Sequence, residues 1–296
     1  MPTRRASSSP SRTRSVSARG RAASPSPSVK VPKAAQTAEA QKAQKPLADP
    51  WANTDGCHGT PFYCKGRPKP WLRGTLHFYS ALSSPLWSGY QLSLCHTAQE
   101  MWAVLLACAG ATCMLGASGG YHYPSWRTEA QELLMGKFDL SGIYLQIAFS
   151  AAPMYLLLLP APVNWAVISS MAVCAACGIF VTFGPIGHFG RHAGTLVYIL
   201  MGAIQALPFL TSALCERTMW SQLLSSEQGM LIGLVAAYLV GSHVYANATP
   251  RLWPSTFGFH ELWHLLVVLG SAASWGVNTS LLQRREALVY YAAASP

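Results

Sequence analysis

Charge is what this chain has least of. Only 11% of its 296 residues are Asp, Glu, Lys or Arg, against about 25% in an ordinary soluble domain. A chain so poor in charge cannot cover a water-exposed surface over most of its length. Acidic groups are the scarcest of all, with 11 against 21 basic ones. The basic excess is also misplaced for nucleic-acid binding. Fourteen of the 21 Lys and Arg fall at or before Arg73, with three acids (Glu39, Asp49, Asp55), and no aromatic residues are interleaved with them before Trp51. A basic groove with stacking platforms is therefore excluded. The first long apolar run comes far downstream, so nothing near the N-terminus reads as a secretory signal. Cysteine pairs are scarce too: Cys174-Ala-Ala-Cys177 has the spacing of a redox or zinc pair but sits midway along an apolar run, where packing is the expected role. The eight cysteines are scattered, and Cys108, Cys113, Cys174 and Cys177 lie inside apolar runs, where Cys packs as a small hydrophobe. Cys57-His58 with Cys64 has no second pair nearby, although it has the elements of a metal site or a disulfide.

What is present is apolar sequence in lengths that fit a bilayer. From residue 74 onward seven stretches approach the ~20 residues that cross a membrane: 75–95, 100–120, 140–159, 163–183, 193–213, 229–247 and 259–280. Pro160-Ala-Pro162, Gly184-Pro185 and the Pro250–Pro254 segment separate them. The expected fold is all-α, a seven-transmembrane helix bundle over residues 71–283. A disordered, Ser/Arg/Pro-rich arm over 1–70 precedes it, and a short tail over 284–296 follows. Arg4-Arg5-Ala-Ser7 and the Ser-Pro pairs at Ser9, Ser24 and Ser26 make the arm a candidate for phosphorylation. Its acid-poor, Arg- and Ser-rich start is also similar to an organelle transit peptide, although a cytosolic tail needs no further machinery. Lys and Arg flank the N-terminal side of helix one and the loops that share that side, so the N-terminus is expected in the cytosol and the C-terminus opposite.

Ionisable residues within such spans are costly and usually functional. His260 and His264 stand four apart at the start of the last stretch, and on a helix they share one face. Ser118 and His122 lie at the end of the second stretch, and Asp139 at the start of the third. The end of an even helix and the starts of odd helices fall on one side of the membrane, so these groups are expected to converge near one leaflet. Three imidazoles suit Zn²⁺ with an open position for water. Asp139 would hold that water as general base, and Ser118 would support a developing oxyanion. That combination fits hydrolysis of an amide or ester of a membrane lipid. Simpler readings stand beside it. Asp139 could be a helix cap, and Gly119-Gly120 could break the helix that carries His122. His77, His188, His192 and His243 are read as structural.

Ser118-Gly-Gly-Tyr-His122, Lys137-Phe-Asp139-Leu-Ser-Gly-Ile143, Tyr245-Ala with Pro250, and His260-Glu-Leu-Trp-His264-Leu-Leu-Val-Val together resemble the progestin and adipoQ receptor / haemolysin III family. Arg73-Gly-Thr-Leu-His77 is similar to the haemolysin III branch. The resemblance covers about residues 68–282 and extends to the wider group of alkaline ceramidase-like seven-helix membrane hydrolases. It implies that His122, His260 and His264 bind zinc, that Asp139 contacts the metal through water, and that Ser118 sits beside it. It also implies membrane lipids as partners, with ceramide or another lipid amide as substrate. The receptor members imply the alternative of a seven-helix receptor with a structural zinc.

Overall fold

The computed structural model describes residues 69–126, 128–184, 190–211, 218–253 and 255–288. The expectations for the N-terminal arm, for Cys57, His58, Cys64, His188 and Cys215, and for Arg127 and Arg217 lie outside the described residues. What is described is all-helical apart from one isolated bridge between Trp253 and Phe257. The helices are α1 (Thr75–Ser93), α2 (Ala98–His122), α3 (Glu129–Phe149), α4 (Ala152–Leu158), α5 (Val163–Phe183), α6 (Arg191–Leu210), α7 (Ser225–Asn247) and α8 (Phe259–Gln283). Among the described residues six stretches are long and apolar enough to cross a membrane, α3 and α4 counting as one, Glu129–Leu158. α1 is not among them and packs against α2 and α8. α2, α3 and α8 form the centre. α5, α6 and α7 leave large side chains such as Phe180, Leu196 and Ile232 exposed, a surface suited to lipid rather than water.

The third span departs from expectation. Its helix begins at Glu129, ten residues before Asp139, because Thr128 caps it: Thr128 Oγ1 accepts the Gln131 N–H at 3.3 Å. Glu129 to Gly136 is helix-forming but not apolar, so hydropathy alone starts the segment too late. The same span breaks after Phe149, where Pro153 lacks an N–H to continue the ladder. Carbonyls beside the break must be satisfied internally, since no water reaches them. Neighbouring helices supply the donors. Ser274 Oγ and Asn278 Nδ2 of α8 reach the Ser150 carbonyl at 3.2 and 3.1 Å, and Gln205 of α6 donates to the Ile147 carbonyl.

At one end of the bundle the start of α7 is tied to the end of α8. Glu227, fully buried, accepts from the Leu224 N–H (2.8 Å), Ser280 Oγ (2.7 Å) and Arg284 Nη2 (2.6 Å). Cys174 and Cys177 are free and lie on an exposed face of α5, so they are lipid-facing rather than packed inside the bundle.

Candidate metal centre

The opposite end of the bundle holds the polar cluster, and local backbone chemistry places it. α2 does not break at Gly119-Gly120. It runs to His122, and the Tyr123 N–H still reaches the Gly119 carbonyl at 2.9 Å. α3 lies against α2 closely enough that a Cβ on Gly142 would stand 2.7 Å from Met114 Cα. Small residues permit this kind of backbone approach between membrane helices. From that contact, one turn along the antiparallel pair brings Asp139 level with Ser118. The entry to α1 seals the end of α2. Gly74 adopts φ 78°, and a Cβ there would meet the Tyr123 nitrogen at 2.5 Å. The helix C-terminus leaves carbonyls without intrahelical partners. Lys69 supplies them: its Nζ donates to the carbonyls of His122 (3.0 Å), Tyr123 (3.0 Å) and Pro124 (2.7 Å). Burial, reinforced by Arg73 and opposed by Glu132, lowers the Lys69 pKa to about 8, so the ammonium remains charged at neutral pH and complements the helix dipole.

α8 is oriented by a buried ion pair. Glu261 Oε2 accepts the Gly258 N–H at 2.7 Å, completing the helix start, while its Oε1 pairs with Arg73 Nε. With Glu261 turned toward α1, its neighbours His260 and His264 face the bundle interior, 5% and 2% exposed.

Three imidazoles meet there. His122, His260 and His264 are buried, and each offers a ligand atom within 4.8 Å of the other two. His122 Nε2 lies 3.1 Å from His260 Nε2 and 3.3 Å from Asp139 Oδ2. The ring centroids of the trio are separated by 4.6 to 5.0 Å. Of the five residues read from sequence, three are therefore in mutual reach, and Asp139 touches one of them, His122. Asp139 belongs to the side of α3 rather than to its cap, and Ser118 is buried one turn before His122 on the same helix. The donor set fits a metal ion: one ligand atom from each of three buried imidazoles lies within 4.8 Å of the others, and the Asp139 carboxylate borders the set at His122.

His77, read from sequence as structural, lies against the cluster: it stacks on His264, centroid to centroid at 3.9 Å and nearly parallel at 7°. It is 2% exposed, and neither ring nitrogen has a hydrogen-bond partner among the described residues. Its parallel stacking makes it a flat wall for His264 rather than a fourth ligand to the same point. Tyr245 of α7 closes the cluster from the other side, edge-on to His260 at 5.7 Å. By contrast, His192 and His243 are exposed and away from the cluster.

Comparison with known proteins decides the family. The haemolysin-III related family model matches residues 65–275, a stretch that contains every group just described. The chain belongs to the haemolysin-III related family. Among curated relatives of this family, the heptahelical transmembrane protein ADIPOR1 of Oryza sativa subsp. japonica is 24% identical over 188 residues, 60% of this chain and 49% of the relative. Hemolysin-3 of Bacillus cereus is 28% identical over 141 residues, 48% of this chain and 58% of the relative. The chain thus spans about half of the length of these curated relatives. Membership makes it a multi-pass integral membrane protein. The histidine and aspartate cluster lies within the part that the family shares.

Proposed function

We propose that this protein is a zinc-dependent hydrolase of a membrane lipid amide, with ceramide the first substrate to assay. The reading rests on one observation above the rest: a carboxylate, Asp139, touches one member of a buried histidine trio whose ligand atoms converge. A carboxylate beside the histidines can hold a water and take its proton. His122, His260 and His264 would hold the metal. Zinc bound there would lower the pKa of a coordinated water to about 7 and polarise the scissile carbonyl. Asp139 Oδ2 takes the proton of the attacking water and returns it to the leaving nitrogen as the carbon–nitrogen bond breaks. The Ser118 hydroxyl donates to the oxyanion that develops on the former carbonyl oxygen. His77 and Tyr245 hold the imidazoles in place, and the surrounding helices exclude bulk water. The same reading puts this end of the bundle at the cytosolic leaflet, since Lys69, Arg73, Lys137 and Arg251 gather on that side.

The test is turnover of an N-acylated lipid by the detergent-purified protein. Asp139→Asn should lower kcat by roughly 10²- to 10⁴-fold, the usual contribution of a general base, while metal content stays unchanged. Equal turnover in wild type, Asp139→Asn and Ser118→Ala would defeat the hydrolase reading and leave a receptor with a structural metal.

A further inference from the structure

Between α1 and α8 the bundle surface carries a groove of about 430 Å³, within the roughly 300–1,000 Å³ typical of ligand sites. Ser80, Ser83 and Trp87 form one wall, and the other runs along α8 from Val268 to Gln283. Those sixteen residues of α8 rise roughly 22 Å, so the groove is long and narrow. One end adjoins the histidine centre. Ser80 is one turn beyond His77, Leu115 one turn before Ser118, and Val268 one turn beyond His264. Ala272 and Gly276 give the groove its depth.

The wall hydroxyls decide what fits. Ser83 Oγ donates to its own helix at the Ser80 carbonyl (2.9 Å), and Ser280 Oγ donates to Glu227 (2.7 Å). Thr279 Oγ1 accepts from Gln91 at 3.0 Å, and Ser271 Oγ accepts from Gln146 at 3.4 Å. These groups are engaged within the protein, so the walls offer a ligand mainly carbon. A polar ligand would lose its hydration with little return, whereas a hydrocarbon chain requires no partner. Within the span of a bilayer the molecules at hand to fill such a groove are lipids.

We propose that the α1–α8 groove holds one acyl chain of a membrane lipid, and that it is the lateral path by which the lipid's polar end reaches the histidine centre. That the polar end is cleaved there rests on the hydrolase reading; occupancy of the groove by the chain does not. The test reconstitutes the full chain in phosphatidylcholine nanodiscs in which a fraction of the palmitoyl chains carries a photoreactive diazirine, followed by illumination and peptide mapping. Labelling of Trp87 and the Ala272–Gln283 stretch should exceed that of Phe180 on α5 and Leu239 on α7, both also exposed, by roughly tenfold, the ratio that a site preference of about 1.4 kcal/mol gives. Ala272→Phe fills the groove from an exposed position and should return labelling to the level of Phe180, with metal content unchanged. Uniform labelling around the bundle, or labelling unaffected by Ala272→Phe, would overturn the proposal. A protein that labels in the groove but does not cleave lipid amides would keep this inference and lose hydrolysis; one that cleaves but labels uniformly would do the reverse.

Discussion

At the scale of single residues, two groups that touch no reacting atom should control the metal centre. His77 is a flat wall against His264. His77→Ala removes it and frees the His264 ring, so zinc affinity should fall about 10- to 100-fold, the usual effect of losing a supporting neighbour of a ligand. His77→Phe keeps the wall and should retain most of that affinity, as read by chelator competition. Equal affinity in all three proteins would show that the stack supports nothing. Gly74 is held in the left-handed region with the Tyr123 backbone where a side chain would be. Gly74→Ala should lower the melting temperature in detergent by more than the ~1–2 kcal/mol of left-handed strain alone would give, because backbone must also move. The trio itself was legible in the sequence. His260 and His264 define a face by their spacing, and helix parity brings His122 to the same end. His77 was not, because a lone histidine at a helix start has no spacing to betray it. Its role depends on α1 lying against α8, which is tertiary packing.

At the scale of elements, the ends of the helices are fixed by buried charge. Arg284 is the cation that neutralises Glu227, which joins α7 to α8 far from the histidines. Arg284→Met strands a carboxylate in the protein interior and should cost about 3–5 kcal/mol. The double variant Glu227→Met with Arg284→Met should recover most of that loss in thermal denaturation, and metal content should not change in either. A single variant as stable as wild type would mean that the pair does not clamp these helices. Helix identity was readable from hydropathy, since the apolar stretches fall on α1, α2 and α5 to α8 with only small shifts at the ends. The start of α3 was not, because Glu129–Gly136 is amphipathic helix without membrane character. Its signal was local, Thr128 as cap, and that mistake turned Asp139 from a residue on a helix flank into a presumed helix start. The break after Phe149 is marked by Pro153, but the Ser274, Asn278 and Gln205 side chains that satisfy it come from distant parts of the chain and could not be assigned from spacing.

At the scale of the whole molecule, scarcity of charge and the lengths of the apolar runs were enough to expect a helical membrane bundle, and the family match agrees. The bundle collects its ionisable groups into two layers. One, around Glu227 and Arg284, holds the helices together. The other gathers imidazoles and a carboxylate at the opposite end. The distinction matters because a buried, paired charge serves structure, whereas three imidazoles whose ring nitrogens lie within 4.8 Å of one another form a ready set of metal donors. The central claim is that these donors hold zinc. The most direct measurement is elemental mass spectrometry of the protein purified in detergent without chelator, wild type beside His264→Ala. The account predicts about one zinc per chain in the wild type, as for a site with three protein ligands, and its loss in the variant. No metal in the wild type, or zinc retained in full by His264→Ala, would contradict it.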